Sequence, residues 1–168
     1  MKAKIIVDGH EFDIDILDPK LQELISPPKN TGYERATENF GYYFIGDNNK
    51  AYPEIETMSV VSQNHYNEAN YYSDKTVAEN NARADKLMRQ LRRFAVEHRT
   101  NKIDWENGQT IKYYIYYDFS ASMFLIDYSY RNRKFGGVYF SSRENAKLAI
   151  ETFKDELTWY FTEYKDSL

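Results

Sequence analysis

One pattern occurs twice in this chain and limits how it can fold: aromatic residues of a strand end, a serine, then a long amphipathic stretch. The first copy passes from Tyr71 through Ser73, and the second passes from Tyr139 through Ser141. Tyr71 and Tyr139 are 68 residues apart. A serine in this position typically caps a helix, so the pattern predicts two copies of a strand–helix arrangement.

The two amphipathic stretches are predicted to be helices. The first is expected to start after Ser73 and to end near His98. The second starts with a capping box, Ser141 followed three residues later by Glu144, and is expected to reach about Tyr164. Apolar residues recur at helical spacing in both. The expected stripes are Val77, Ala84, Met88, Leu91 and Ala95 in the first, and Ala146, Ala149, Ile150, Phe153, Leu157, Tyr160 and Tyr164 in the second.

Each helix follows a predicted β-hairpin. In the first copy, residues 41–45 and 51–61 are expected to be strands, and residues 62–70 a polar loop. In the second copy, residues 111–117 and 123–130 are expected to pair, with a short third strand just before the capping box. The order of strand, turn, strand, serine and helix is therefore the same in both copies.

The N-terminal residues predict a smaller element. Asp8-Gly9 lies between two apolar runs, which is a hairpin signal, and Asp18-Pro19 is typical of a helix start. This ββα element of residues 1–28 is followed by a polar linker, residues 29–40. The sequence thus predicts an α+β protein with two antiparallel ββ(β)α units, residues 41–100 and 101–168, in which each sheet packs on a long amphipathic helix.

Composition excludes several classes of function. There is no cysteine, so disulfides, thiolate metal sites and thiol nucleophiles are excluded. Only three strongly apolar residues follow the N-terminal lysines, which is too short for a signal peptide, and no apolar run is long enough to span a bilayer. We therefore expect a cytoplasmic protein that makes no membrane contact.

No catalytic or cofactor motif is present. The three histidines, His10, His65 and His98, lie in a hairpin, a loop and a helix end, and no two have ligand spacing. The chain contains neither a Gly-x-Ser-x-Gly elbow nor a phosphate-binding GxxxxGK[ST] loop. We therefore expect no metal, no cofactor and no catalysis.

Two kinds of binding surface remain as alternatives. The whole chain has a net charge of −4, which favours a protein contact over general nucleic-acid binding. An acidic, tyrosine-bearing surface could occupy a basic nucleic-acid channel. The candidate protein-binding residues are Asp13, Asp15, Glu54, Glu56, Tyr114, Tyr116, Tyr128 and Tyr130.

The alternative is nucleic-acid or nucleotide binding. Residues 71–104 carry a net charge of +3, and bases could stack on the tyrosine pairs if both pairs share one open face. The candidate residues for this alternative are Lys86, Arg89, Arg93, Arg131, Arg133 and Lys134. Composition leaves the oligomeric state open between a monomer and a dimer.

Several stretches resemble small accessory proteins of phages and prophages of Gram-positive bacteria. They include Asn70-Tyr71-Tyr72-Ser73, the helix end Leu91-Arg92-Arg93-Phe94-Ala95, and the run Gly137-Val138-Tyr139-Phe140-Ser141-Ser142. Thr31–Arg35 leading into Tyr42–Ile45, Asp104-Trp105 and Lys112–Asp118 also contribute. Asn70-Tyr71-Tyr72 lacks the glycine expected before the first serine.

The resemblance implies a non-enzymatic role. Phage proteins of this kind include inhibitors of bacterial defence, such as anti-CRISPR proteins, that bind a host protein. The resemblance therefore implies an inhibitor in the bacterial cytoplasm, with a CRISPR effector nuclease as the expected partner. A signalling-nucleotide or nucleic-acid binding role stays open beside it.

Overall fold

The computed structural model describes residues 2–7, 10–15 and 31–164, and its fold is α+β, as the sequence predicts. The chain divides into two compact units, residues 1–31 and residues 32–168. This boundary falls inside the segment predicted as a linker. Residues 32–40 belong to the larger unit.

The smaller unit contains the predicted N-terminal hairpin. β1 (Lys2–Val7) pairs antiparallel with β2 (His10–Asp15), and Val7 stands opposite His10. The hairpin is therefore confirmed. The helix predicted after Asp18 lies outside the described residues.

The larger unit repeats one order of elements. In each half, residues 32–100 and 101–164, a hairpin is followed by a long helical stretch, and the first half has an additional short helix between the two. The elements are β3 (Gly41–Ile45), β4 (Ala51–Ile55), α1 (Val60–Asn67), α2 (Lys75–Glu97), β5 (Lys112–Asp118), β6 (Met123–Ser129), α3 (Arg143–Thr152) and α4 (Lys154–Thr162).

Helix α1 corrects the prediction of a long second strand followed by a polar loop. β4 ends at Ile55, and Met58 has a positive φ of 54°, which ends any extended run. Ser59 then caps α1 by accepting the backbone N–H of Ser62. The β-branched pair Val60-Val61 looks like strand in the sequence, but the cap before it starts a helix.

The two long-helix caps lie one residue later than predicted. Asp74 caps α2 by accepting a first-turn N–H at 3.0 Å, and Ser142 caps α3 in the same way at 3.1 Å. The preceding serines do not cap the helices but make other hydrogen bonds. Ser73 donates to Glu34 at 2.6 Å, and Ser141 accepts the backbone N–H of Thr100. Asp74 and Ser142 are also 68 residues apart.

The last predicted helix is two helices. α3 ends at Thr152, the next residue Phe153 has a non-helical φ of −111° and ψ of 22°, and α4 begins at Lys154. The Phe153 ring meets the Phe94 ring edge to face, with centroids 5.5 Å apart. The break therefore coincides with an aromatic contact to α2.

One apolar core is shared by both halves. Ala78 and Ala146, 68 residues apart, are fully buried in the first turns of α2 and α3. Leu87 of α2 is 1% exposed, and burying such a side chain contributes about 1.5–3 kcal/mol. The core residues are Leu87, Leu91, Phe94, Ala95, Phe140, Ala146, Ala149 and Leu157. The two predicted ββ(β)α units are therefore joined through α2.

Each hairpin gains a third strand of a single residue. Tyr72 pairs with Tyr43 of β3 through two backbone hydrogen bonds of 2.8 and 2.9 Å. Phe140 pairs with Tyr113 of β5 through bonds of 3.0 and 2.8 Å. The pairing residue directly precedes Ser73 or Ser141 in each half, so the repeated sequence pattern corresponds to a repeated backbone contact.

Candidate functional site

The outer edge of β5 is open beyond its contact with Phe140. Tyr113 turns its N–H and C=O toward Phe140, and in an antiparallel pair these groups alternate sides along the strand. Ile115 and Tyr117 therefore turn their backbone groups to the same outer edge. Within residues 31–164 no hydrogen bond reaches these groups.

The third strand stops because the chain turns away before Val138. Gly136 has a φ of 70°, a conformation that favours glycine. The Gly137 N–H donates to the Lys134 carbonyl at 3.2 Å, and the Lys134 N–H donates to the Tyr139 hydroxyl at 2.7 Å. These contacts fold residues 134–139 into a loop beside β5.

A groove lies where the missing strand would run, and we call it the β5 groove. Its volume is about 510 Å³, within the range of ligand-binding sites. One wall is Tyr114–Tyr116 of β5, and the other is residues 134–139. Its floor is formed by α2 and α4, with Leu87, Met88, Leu91, Leu157, Tyr160 and Phe161.

Exposed side chains stand around this groove. Phe135 is 108% exposed, which is unusual for a phenylalanine, and Tyr116 is 38% exposed. Lys134 places its ammonium 4.0 Å from the centre of the Tyr114 ring, and Tyr114 raises the pKa of Lys134. Tyr114 also donates to Asp127 at 2.8 Å, which lowers the pKa of that carboxyl.

A second concavity of about 340 Å³ shares residues 137–139 with the groove, and we call it the basic cleft. Its charged residues are Arg92, Arg99, Lys102 and Arg133, beside Trp105. Arg133 lies 5.7 Å from the centre of the Trp105 ring. In the described part of the chain none of these four cations has an ion pair.

Glu56 was predicted as part of an exposed acidic strand face, and this is wrong. Its side chain is fully buried and accepts hydrogen bonds from Arg35 Nε (3.1 Å), Tyr71 Oη (3.1 Å) and the Met58 N–H (2.7 Å). Burial alone would raise its pKa, but hydrogen bonds from Ser62, Met58, Arg35 and Tyr71 outweigh it and lower the pKa to about 2. Glu56 follows the end of β4, where the chain turns inward.

The other acidic candidates lie on two different strands. Glu54 is exposed on β4 and accepts the N–H of Ile55 at 3.0 Å. Asp13 and Asp15 lie on β2 of the smaller unit, opposite Lys4 and Lys2.

The two tyrosine pairs do not share a face. Tyr114 stands opposite Asp127 in the hairpin, whereas Tyr128 stands opposite Tyr113, so the two side chains point to opposite sides of the sheet. Tyr130 follows the end of β6, and the centroid of its ring lies 5.6 Å from that of Tyr128. A single platform for base stacking is therefore excluded, and Tyr114 and Tyr116 are the pair at the groove.

The basic candidates are also dispersed. Arg89 donates to Asn49 and Arg93 lies 3.8 Å from Glu97, while Lys86 lines a different concavity near α4. Arg131 packs against Gly108. Only Arg133 and Lys134 stand beside the groove, on the loop that forms its wall.

Sequence reasoning missed three cations of the basic cleft, Arg92, Arg99 and Lys102. Arg92 lies in the last turns of α2 and Arg99 follows two residues after the helix ends, so their seven-residue spacing keeps both near its C-terminal end. That spacing was the available signal. Their meeting with Arg133 depends on the loop after β6, which only the fold determines.

Among residues 31–164 and the described strands of the smaller unit, no group of three or more His, Asp or Glu side chains could hold a metal ion. No helix in the same residues is long and apolar enough to cross a membrane. Comparisons with family models, curated proteins and solved structures find no match to this chain. Function is therefore inferred from the groove and the cleft themselves.

Proposed function

We propose that this chain is a phage-encoded, non-enzymatic inhibitor that binds a bacterial defence protein through the β5 groove. The observation that supports this most is an open apolar groove with a fully exposed phenylalanine, Phe135, at its wall. Large exposed apolar side chains beside a groove are typical of interaction sites, and aromatic residues are enriched in interfaces. The resemblance to phage proteins directs the choice of target, with a CRISPR effector nuclease as the first to test.

The proposed contact differs from the acidic surface expected from the sequence. Glu56 is buried, so β4 offers Glu54 alone from that pair. The groove instead has Lys134 on its wall, and Arg92 and Arg133 join it around the same loop. The surface that meets the partner is therefore apolar with a cationic margin, and it suits a partner segment that carries acidic residues.

The polar clusters of the larger unit support binding rather than catalysis. The Tyr42 hydroxyl lies 2.9 Å from His65 Nδ1, a distance that would suit proton transfer. Tyr42 is 1% exposed, and His65 is stacked on Phe44 with centroids 4.5 Å apart. Because Tyr42 is buried, its hydroxyl is shielded from a substrate, and we assign the pair a packing role.

The test is a phage challenge of bacteria that each carry one defence system, with the chain expressed in each. The proposal predicts that the chain rescues infection in one strain and copurifies with that system's protein. Phe135→Asp should abolish both effects, because it replaces the exposed ring with a charge and contacts no core residue. Phe40→Asp is the matched control, since Phe40 is 67% exposed in the first half and far from the groove in sequence.

Two results would contradict this proposal. One is a lack of rescue in every strain. The other is rescue that Phe135→Asp and Phe40→Asp affect equally, which would move the contact away from the groove.

A second candidate function is nucleic-acid or nucleotide binding in the basic cleft. The observation in its favour is that Arg92, Arg99, Lys102 and Arg133 converge without ion pairs among the described residues, beside Trp105. Phosphates bind such clusters, and a base can stack on an indole. The net charge of −4 for the whole chain opposes it.

Binding to labelled DNA and RNA at low and raised salt tests this second function. Four phosphate contacts predict an affinity loss of roughly a hundredfold between about 50 and 200 mM salt. Arg92→Glu and Arg133→Glu should remove the binding, whereas Arg143→Glu, the same charge change at an exposed position of α3, should not. Absence of binding at the lower salt would exclude this function.

A further inference from the structure

The first half of the larger unit closes the strand edge that the second half leaves open. Ile45 lies two residues after Tyr43 on β3, and its N–H donates to Asn70 Oδ1 at 2.7 Å. Asn70 Nδ2 donates in return to the Ile45 carbonyl at 2.9 Å. The carboxamide of one side chain thus makes both hydrogen bonds that a paired strand residue would make.

The second half has the same geometry without this side chain. Ile115 lies two residues after Tyr113, just as Ile45 lies two residues after Tyr43. Val138 is the counterpart of Asn70, since each lies two residues before the residue that pairs with the strand. Valine has neither a donor nor an acceptor in its side chain. The N–H and C=O of Ile115 therefore stay unpaired among residues 31–164.

An unpaired edge beside an apolar floor is a template for an added strand. Unpaired N–H and C=O groups on a strand edge pair readily with another extended chain. Several protein modules bind peptides in this way, with main-chain hydrogen bonds giving affinity and pockets for alternate side chains giving specificity. The β5 groove provides both an open edge at Ile115 and a pocket beneath it.

We propose that the partner contributes an extended segment that adds to the open edge of β5 and hydrogen-bonds to Ile115. This inference rests on the proposed function and specifies its binding mode. The segment takes the place that residues 136–138 would occupy if the third strand began before Phe140 and included them. It makes two backbone hydrogen bonds to Ile115, and Tyr117 offers the next pair along the same edge.

The groove also sets the chemistry of the segment. Alternate side chains of an added strand point to opposite faces. Those facing inward meet Leu87, Met88 and Phe161, so they must be apolar. One end of the segment passes the loop where Arg133 and Lys134 stand with Arg92, and an acidic flank complements them.

The same charges argue against a second copy of this chain as the occupant. Two chains that paired their β5 edges would bring two sets of Arg133 and Lys134 to one interface. Like charges across an interface oppose association. A foreign segment with carboxylates avoids this repulsion.

The experiment is a selection of displayed random peptides of about ten residues, the upper length of a strand, on the purified full chain. The expected binders alternate apolar and polar residues and carry Asp or Glu at one end. Val138→Asn should weaken their binding about tenfold, because the new carboxamide takes both backbone groups of Ile115 as Asn70 takes those of Ile45. Val138→Thr is the matched control, similar in size but too short to make both bonds, and should bind within about twofold.

Backbone amide spectra of the wild-type chain test the same inference without a substitution that could impair folding. In the wild-type chain, addition of a selected peptide should shift the Ile115 N–H signal and slow its hydrogen exchange. The inference is overturned if no peptide is enriched, if binders are helical, if Val138→Asn and Val138→Thr bind equally well, or if the Ile115 N–H is unaffected. Self-association that competes with peptide would also overturn it in favour of a second copy.

These outcomes separate the binding mode from the proposed function. Suppose that Phe135→Asp abolishes phage rescue while Val138→Asn retains it. The groove is then the contact, but strand addition is excluded. If peptides add to β5 as expected and no defence strain is rescued, the binding mode holds and the choice of a defence protein as target fails.

Discussion

Both halves of the larger unit contain the same kind of hairpin, but the outer strand edge is closed in the first half and open in the second. In the first, the Asn70 side chain closes the edge of β3 at Ile45. In the second, Val138 leaves the edge of β5 open at Ile115, above an apolar floor. The amide closes only one of two equivalent strand edges, and the proposed docking site is the edge where it is missing.

The interiors of the two halves also differ in the kind of side chain that they bury. Behind β3, the buried carboxylate of Glu56 is held by Arg35 and Tyr71. Behind β5, the packed residues are apolar, with Phe140 at 1% exposure. The first half thus buries a hydrogen-bonded ion pair, whereas the side chains that pack behind β5 form an apolar cluster. Substitutions and pH should therefore affect the two halves differently.

The largest effect is expected at Phe140. Phe140→Ala should lower the free energy of unfolding by about 3–5 kcal/mol, because it leaves a cavity in the core shared by both halves. Urea denaturation followed by circular dichroism measures it. Phe40→Ala, at an exposed position, should change stability by less than about 0.5 kcal/mol. Similar values for the two variants would refute the location of the core.

The next largest effect is expected at Arg35. Arg35→Ala should cost about 2–3 kcal/mol, because the buried carboxylate of Glu56 loses its cation. A double-mutant cycle with Glu56→Gln, read by urea denaturation, measures the coupling. If Arg35→Ala costs the same in the Glu56→Gln background as in the wild type, the ion pair contributes nothing.

The same carboxylate predicts a pH dependence. The pKa of Glu56 is lowered from 4.5 to about 2 in the folded chain, so the unfolded chain binds this proton more readily. The stability that the carboxylate contributes is fully present above about pH 4.5 and is lost as the pH falls toward 2. Unfolding curves from pH 6 down to about pH 3 should show a steeper loss for the wild type than for Glu56→Gln. Parallel curves would contradict this assignment.

The smallest effect is expected from exchanging the edge residues. Asn70→Val should cost about 1–2 kcal/mol, because Ile45 loses two hydrogen bonds. Val138→Asn should be close to neutral, since the packing lost at Val138 is offset by the bonds gained at Ile115. Thermal unfolding of both single variants and the double variant checks this. If Val138→Asn lowered the stability and Asn70→Val did not, the proposed difference between the two strand edges would be contradicted.

The sequence predicts the repeat well because hydrophobic period and aromatic position are local properties. Both hairpins and the long helix α2 follow from them, and the one-residue shift from Ser73 to Asp74 as cap is a small error. Helix α1 was missed because Val60-Val61 favours a strand locally, while the Ser59 cap acts before it. The break at Phe153 was missed because it has no local signal in the sequence, and the Phe94 ring that it contacts is 59 residues away in the chain.

The candidate site was harder to predict than the fold. Glu56 has the sequence pattern of an exposed strand residue, and only the return of Tyr71 and Arg35 from distant segments buries it. The groove depends on a loop that turns away at Gly136. The contrast between Asn70 and Val138 is visible in the sequence once the offset of 68 is applied, but its meaning requires the pairing of Tyr43 with Tyr72 and of Tyr113 with Phe140.

Amide hydrogen exchange of the free chain tests the central comparison most directly, because it needs no partner. Ile45 and Ile115 occupy equivalent places on equivalent strands, and both N–H signals can be followed in one spectrum. The Ile45 N–H, bonded to Asn70, should exchange slowly, and the Ile115 N–H should exchange much faster. Equal protection of the two N–H groups in the free chain would show that the edge of β5 is already closed, and would contradict the open groove.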